Sequence, residues 1–317
     1  MAEHAVYERV LCTGLGDRMG MLLALAAVAR AYNLTSVTMR WCVDPMHAAH
    51  NNPPHLKYIP DWEGYDYPLA ALRTHLLLPD GVRVRMYDAQ EDTALRADRS
   101  TAWVTDMGSK RVPPMQGLPF LPWLGSEIFA VAGRPSRVTR VQFETAYASA
   151  ARELVEPYDD SAPVFDVVVH LRAWDVNTFA GADYAPQHYC TRAALMRLTE
   201  RLPHLSVAVL SHNITWARAV LGRTLRKRRR MLLTPSYVWD DFNTLLAARR
   251  GIVQHASDGW SAFSSVPAIA RELPLLNTYD ALEHRFDYCA KYAPVPQNWH
   301  RCRDVDAFLA RLDEPAL

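Results

Sequence analysis

The 317-residue sequence lacks several features that would each point to a particular class of protein. No apolar run reaches the roughly eighteen residues of a membrane-spanning helix, since the longest, Met19–Ala31, is shorter and contains Arg30. The net charge of +1 gives no overall attraction to nucleic acid or to an anionic membrane. A first strand predicted within about six residues of Met1 leaves no room for a signal peptide. We therefore expect a cytoplasmic protein without a membrane span and without a nucleic-acid partner.

Cysteine is scarce and widely spaced. The five cysteines include no C-x-x-C pair, so neither a zinc site nor a thioredoxin-like motif is expected. Cys12 and Cys42 would lie on neighbouring strands as buried free thiols. We expect no disulfide, in agreement with a reducing compartment. For the same reason the Asn-x-Thr sequences at Asn33 and Asn213 are expected to be unmodified.

The best-known nucleotide-binding motifs are missing as well. There is no G-x-x-x-x-G-K-[ST], which excludes a P-loop enzyme at the motif level, and no Tyr-x-x-x-Lys. Gly14, Gly16 and Gly20 do form G-x-G-x-x-x-G between an apolar strand and a long apolar helix. Such glycines can bring a helix N-terminus close to a phosphate, or can simply allow the helix to pack. Asp44 matches the acidic residue of a dinucleotide site only loosely, and an NAD-dependent oxidoreductase is kept as an alternative.

Alternating strands and helices predict an α/β fold with two domains, 1–158 and 159–317. In the first, the strand Val6–Cys12, the helix Asp17–Tyr32 and a strand from Ser36 suit a right-handed βαβ unit. An irregular, substrate-facing insertion rich in Pro, Trp, Tyr and His is predicted over about 44–126, and a closing helix over 140–156.

The second domain begins with the strand Val164–Arg172, whose near-continuous apolar run indicates a buried parallel strand. Two Rossmann-like, doubly wound sheets facing a cleft form the GT-B arrangement of glycosyltransferases, among others, and we predict that arrangement here. The further predicted elements are a helix (186–202), a strand ending at 211, a helix (214–222), a strand (231–236), a helix (238–250), a strand (251–256), a helix (263–271) and a terminal helix (305–312).

Four short motifs follow one another along the chain. His170, Arg172 and Asp175 stand in "HLRAWD" at the end of a buried strand, where α/β sheets place ligand groups. The others are the loop "GLGDRMG", the segment Ser211–Trp216, and "WSAFSSV" with its Ser-x-Phe-Ser core. The series resembles the fucosyltransferase superfamily of GT-B enzymes, which includes the α1,2-, α1,6- and protein O-fucosyltransferases. The resemblance covers about 100 residues, concentrated in the C-terminal half.

The resemblance implies an inverting, metal-independent transfer of a sugar from a GDP-sugar, with fucose favoured, to a glycan or other hydroxyl acceptor. No cofactor and no metal are implied beyond this co-substrate. An arginine on a rigid strand end and hydroxyls at a helix N-terminus can stabilise a departing diphosphate. The implied donor-binding residues are Gly14, Gly16, Arg18, His170, Arg172, Ser261, Phe263 and Ser264, with Asp240 or Asp241 for guanine; the candidates for the base are Asp17, Asp175 and Asp183.

The sequence departs from the family pattern at two places. Ala173 stands where the family has a second arginine, and Trp174 replaces a small residue. Ser265 and Val266 replace the aromatic pair that follows Phe-Ser in the family. Another GDP- or UDP-linked sugar, or a catalytically weak sugar-nucleotide-binding protein, therefore remain alternatives.

Several residues also have a purely structural interpretation. His170 can be a satisfied core histidine, Phe263 a core residue, and Asp17 the N-cap of its helix. Arg172 and Asp175 can form a structural ion pair. The basic run 224–230 is expected to be a solvated loop.

Asp304 and Asp306 match the D-x-D pattern of metal-dependent transferases. They begin the last predicted helix, which favours N-capping over metal binding.

Overall fold

The structure, a computed structural model, describes residues 4–11, 15–41, 78–98, 101–106, 129–131, 140–154, 164–171, 190–211, 217–218, 221, 231–234, 238–255, 261–278 and 298–314. The chain divides into two compact units. The N-terminal unit holds the described residues up to 154, and the C-terminal unit holds those from 164 onward.

The N-terminal unit is built on one sheet with strand order β3-β2-β1-β4-β5. Its first four strands are parallel, and β5 is antiparallel to β4. Its strands are β1 (His4–Leu11), β2 (Ser36–Trp41), β3 (Val82–Met86), β4 (Ala102–Asp106) and β5 (Phe129–Val131), and its helices are α1 (Leu15–Ala31), α2 (Ala89–Ala97) and α3 (Arg140–Glu153).

Helix α1 is buried along almost its whole length because it lies between the sheet and α3. Leucines, alanines and methionines cover all of its sides, as expected for a helix without a solvent face. Near its C-terminus the half-exposed Arg30 donates to Glu153 of α3 at 2.5 Å. The helix ends at Ala31, and Asn33 beyond it has a left-handed backbone φ of 52°. The Leu34 N–H donates to the Ala29 carbonyl at 2.8 Å and so closes the C-terminal end of the helix.

Helix α2 has no buried side chain, and its contact with the sheet is made by charged groups. Its Asp92 forms an ion pair with the buried Arg40 of β2, which also donates to the Tyr7 carbonyl at 2.9 Å. A cavity of about 270 Å³ remains between this helix and the sheet. β3, α2 and β4 all fall inside the range predicted to be an irregular insertion, so the sequence reading missed these elements.

The C-terminal unit contains a six-stranded sheet with order β11-β10-β9-β6-β7-β8, and every neighbouring pair is parallel. Numbered within the unit, this is the order 6-5-4-1-2-3 of a Rossmann fold. Its strands are β6 (Val167–Leu171), β7 (Val207–Leu210), β8 (Met231–Thr234), β9 (Gly251–His255), β10 (Leu275–Asn277) and β11 (Trp299–Arg301), and its helices are α4 (Thr191–Arg201), α5 (Val238–Leu246), α6 (Ala262–Ala270) and α7 (Val305–Asp313), the last preceded by a 3-10 turn (Cys302–Asp304).

Alternate residues of β6 point to two separate cores, one on each face of the sheet. Val167 and Val169 pack with α4 and α7, whereas Val168 packs with α5 and α6. The helices that follow β6 and β9, which are α4 and α6, therefore lie on opposite faces. The prediction of an α/β fold with two Rossmann-like domains is confirmed, with β5 as the single antiparallel strand among those described.

The expectation that the chain has no disulfide is wrong. Cys190 and Cys302 are bonded, with a Cα–Cα distance of 5.8 Å and a sequence separation of 112. Cys190 precedes α4 and Cys302 follows β11, so only the sheet order brings them together. The expected absence of a disulfide had agreed with a reducing, cytoplasmic compartment, and the disulfide removes that argument. Cys12 and Cys42 lie outside the described residues.

Among the described residues, no helix is long and apolar enough to cross a membrane. The structural interpretation of Asp17 as the N-cap of its helix is wrong. Helix α1 begins at Leu15, so Asp17 lies inside its first turn. The predicted helix 214–222, including Trp216, and the basic run 224–230 fall largely or wholly outside the described residues.

Candidate ligand site at the strand ends of the C-terminal unit

The strand order of the C-terminal unit gives a candidate position for a ligand before any side chain is considered. β6 and β9 are neighbours, but the helices that follow them leave on opposite faces of the sheet. A crevice forms outside the carboxyl ends of two strands at such a switch point, and this is where open α/β sheets bind ligands. The residues at these ends are His170 and Leu171 of β6, which pair with Gln254 and His255 of β9.

His170 is joined to the first turn of α6, the helix that follows β9. Its Nδ1 lies 2.7 Å from Ser264 Oγ, and its ring centroid lies 5.1 Å from that of Phe263. Phe263 in turn packs edge-on against Phe242 of α5 at 5.3 Å. The half-buried His170 is thus held by a hydrogen bond and an aromatic contact at the carboxyl end of β6.

Ser261 and Ser264, both predicted to bind phosphate, have different surroundings. Ser261 is the N-cap residue of α6, and its carbonyl accepts the backbone N–H groups of Ser264 and Ser265 at 3.0 and 2.9 Å. Its side chain forms no capping hydrogen bond. Ser264 is fully buried, and its hydroxyl contacts His170. The geometry therefore favours an action of Ser264 through the histidine over direct contact with a phosphate.

Sequence reasoning missed a second histidine at the same edge. His255 Nδ1 lies 2.7 Å from Thr191 Oγ1, at the first residue of α4. Thr191 Oγ1 lies 2.6 Å from Thr278 Oγ1, which lies 3.1 Å from the Gln254 carbonyl oxygen. All four residues are buried. The only signal in the sequence was the position of His255 at the end of a predicted strand.

Burial lowers the pKa of His255 to about 3, because the charged imidazolium would lose its hydration there. The ring is therefore neutral at physiological pH and acts as a hydrogen-bonding group without charge.

The aspartates predicted to recognise guanine lie in the first turn of α5. Asp240 is exposed, and its carbonyl accepts the Thr244 hydroxyl at 2.7 Å. Asp241 is half-buried. The other predicted residues of the C-terminal unit, Arg172, Asp175 and Asp183, lie outside the described residues.

The N-terminal loop motif is described from Leu15 onward, so Gly14 lies outside the described residues. Gly16 is buried in the first turn of α1, and Asp17 is half-buried. Arg18 is only 2% exposed, and its guanidinium stacks on the Trp41 ring with 4.5 Å between the guanidinium carbon and the ring centroid. A cation at a helix N-terminus opposes the helix dipole, and stacking on an aromatic face offsets part of that penalty.

The D-x-D pair at the start of α7 has structural contacts. Asp304 occupies the N-cap position and accepts the Arg301 backbone N–H at 3.2 Å, although it makes no side-chain cap to the helix. Asp306 pairs with Arg201 at 2.9 Å. In the described part of the chain, no group of His, Cys, Asp and Glu side chains is arranged to hold a metal ion.

No protein-family model and no curated protein sequence matches this chain. Solved structures similar to it include E. coli heptosyltransferase WaaC with ADP-2-deoxy-2-fluoro heptose, at 11% identity and a TM-score of 0.44 over 94% of this chain and 92% of that chain. A glycosyl transferase family 9 protein from Veillonella parvula has 9% identity and a TM-score of 0.40, over 94% and 85%. E. coli ADP-heptose lps heptosyltransferase II has 12% identity and a TM-score of 0.37, over 99% and 100%. Identities and scores this low leave the activity to be argued from the residues of the chain itself.

Proposed function

We propose that the chain is a glycosyltransferase that moves a sugar from a nucleotide sugar to a glycan or another hydroxyl acceptor. A GDP-sugar is the favoured donor, with fucose as the favoured sugar, and another GDP- or UDP-linked sugar as the alternative. The observation that carries the proposal is His170. It lies next to the last residue of a buried strand at the switch point of a Rossmann-type sheet and is hydrogen-bonded to Ser264 in the first turn of α6. The motif residues Arg172 and Asp175 follow it closely in the sequence.

The chemistry of the transfer explains why these residue types would be needed together. A sugar leaves its nucleotide as a diphosphate that gains charge in the transition state. Arg172 follows β6 directly in the sequence, and its guanidinium can neutralise two phosphate oxygens at once. The N-terminal N–H groups of α6 add a positive electrostatic potential at the same edge.

Ser264 supports this arrangement by orienting His170. With its Nδ1 engaged by the serine hydroxyl, the ring is held in place. The acceptor hydroxyl needs a base, for which Asp17, Asp175 and Asp183 are the proposed candidates. The proposed transfer uses no metal ion.

A nucleotide-release assay with GDP-, UDP- and ADP-sugars tests the function. We expect release from one donor class, with and without EDTA, and a loss of about a hundredfold or more in Arg172→Ala. Arg271→Ala changes an exposed residue at the opposite end of α6 and serves as the matched control. Release by Arg172→Ala at the wild-type rate would remove that arginine from the mechanism. An absorbance change with NAD and no nucleotide release would favour the oxidoreductase.

A catalytically weak sugar-nucleotide-binding protein is the second candidate, favoured by Ala173 in place of the family's second arginine. Binding of a nucleotide sugar without hydrolysis or transfer in the same assay would select it.

A further inference from the structure

The cavity beneath helix α2 is a feature that the proposed function does not use. It encloses about 270 Å³ between α2 and one face of the N-terminal sheet. This is the face opposite α1, because Trp41 of β2 contacts α1 while the neighbouring Arg40 pairs with α2. The cavity reaches His4, the first residue of β1. It therefore lies along the face of the sheet and is not the crevice beyond the carboxyl ends of the strands.

The floor of the cavity is formed by two neighbouring strands, β2 and β3. Thr38 of β2 lies opposite Arg83 of β3, and Arg40 lies opposite Arg85, and all four residues line the cavity. Arg83 is exposed and Thr38 is half-buried. Among the described residues, neither of these two side chains has a hydrogen-bond or ion-pair partner. The floor thus offers a guanidinium group and a hydroxyl group to a ligand.

The roof of the cavity is the side of α2 that faces the sheet. It carries Asp88, just before the helix, and then Glu91, Asp92 and Leu95, at the spacing of one helix face. A helix that packs on a sheet has apolar side chains at such positions, whereas three of these four are acidic. Glu91 and Asp92 each pair with an arginine of the floor, so they hold the helix over the sheet without filling the space between them. Departures of this kind from the usual pattern are expected at functional sites.

The charges of the lining favour a ligand without a net charge. Three arginines line the cavity together with four carboxylates, the fourth being that of Asp98. An anion would be repelled by the carboxylates, and a cation by the guanidinium groups. A hydroxyl group can donate to a carboxylate and accept from a guanidinium group, so it complements both. Hydrogen bonds to charged groups are also stronger than those between neutral groups.

The size and the apolar part of the lining narrow the ligand further. Val6, Met86 and Leu95 give the cavity an apolar surface beside its charged groups, and a sugar ring has both C–H surface and hydroxyl groups. Pockets for drug-sized ligands enclose about 300–1,000 Å³. At about 270 Å³ the cavity suits a single sugar ring and is too small for a nucleotide sugar.

We propose that the cavity beneath α2 is a second binding site, which takes one neutral sugar ring, and that Thr38 and Arg83 are hydrogen-bonding residues of this site. The ring belongs either to a free monosaccharide or to the end residue of a glycan, since both present the same hydroxyl groups. The site is independent of the proposed nucleotide-sugar site, because none of its residues belongs to the C-terminal unit.

Methionine-methyl NMR of the full chain tests this site, because Met86 lines the cavity and its side chain is 36% exposed. The Met86 signal is assigned by its loss in Met86→Leu. The chain is titrated with D-glucose, D-galactose, D-mannose, L-fucose and N-acetyl-D-glucosamine, and with inorganic phosphate and spermidine as charged probes. We expect at least one sugar to shift the Met86 signal to saturation, and neither charged probe to do so.

Variants of the floor then show whether the sugar occupies the cavity. We expect about tenfold weaker affinity for the bound sugar in Thr38→Val and in Arg83→Gln, the effect of one lost hydrogen bond. The matched control Thr93→Val changes an exposed threonine of α2 outside the lining and should leave the affinity unchanged. The two methyl glycosides of the same sugar identify the source of the ring. Binding of one of them as tightly as the free sugar assigns the end of a glycan, and loss of binding for both assigns a free monosaccharide.

Three results would overturn the proposed site. They are the absence of a saturable Met86 shift with every sugar, saturation by phosphate or spermidine in place of the sugars, and equal sugar affinity in the wild type, Thr38→Val and Arg83→Gln. No nucleotide is present in these titrations, so their outcome is separate from that of the nucleotide-release assay.

Discussion

Breaking the Cys190–Cys302 disulfide should lower the free energy of unfolding of the C-terminal unit by several kcal/mol. The bond joins residues with a sequence separation of 112, and the chain-entropy relation gives about 4.8 kcal/mol for a loop of that length. Native disulfides in small domains contribute about 2–5 kcal/mol, so this value is an upper one. The bond also fixes Cys302, the first residue of the 3-10 turn that leads into α7.

Urea unfolding, followed by tryptophan fluorescence and by hydrogen exchange of α7, measures the effect. The oxidised wild type, the wild type reduced with dithiothreitol and the variant Cys190→Ala/Cys302→Ala are compared. We expect the reduced wild type and the double variant to have the same free energy of unfolding. Dithiothreitol should not change the free energy of unfolding of the double variant. A difference below about 1 kcal/mol between the oxidised and reduced wild type would refute the reasoning.

Two further predictions concern single residues of the same unit. A Cβ at Gly251 would lie 2.5 Å from Leu312 Cδ2. We therefore expect Gly251→Ala to lower the free energy of unfolding by about 1–3 kcal/mol in urea unfolding. The control Ala307→Ser, at an exposed position of α7, should leave it unchanged. The pKa of His255 falls from 6.5 in the unfolded chain to about 3 in the folded protein, so the unfolded state binds the proton first. Stability should therefore decline by up to about 1.4 kcal/mol per unit as the pH falls from 6.5 towards 3, and parallel pH profiles for the wild type and His255→Asn would contradict this.

The sequence predicted the elements whose burial leaves a clear pattern. β6 is a continuous apolar run, and a strand buried on both faces has that pattern wherever it occurs. Helix α1 was predicted within two residues of its observed start for the same reason. The position of His170 at a strand end then followed from the length of β6.

Other features depend on contacts that no local pattern records. Helix α2 has no buried side chain, so it shows no apolar stripe and was read as part of an irregular insertion. The bond between Cys190 and Cys302 and the contact of Thr191 with His255 each join residues far apart in the chain. Only the order of the strands brings them together.

The central claim is that the strand ends of the C-terminal unit bind a nucleoside diphosphate with the help of a histidine oriented from α6. Titration calorimetry of GDP, UDP and ADP into the wild type, His170→Ala, Ser264→Ala and the control Arg271→Ala tests it most directly. We predict binding of at least one nucleotide to the wild type and to Arg271→Ala, weakened about tenfold or more in the other two variants. Unchanged affinity in His170→Ala, or no binding of any nucleotide to the wild type, would contradict the account.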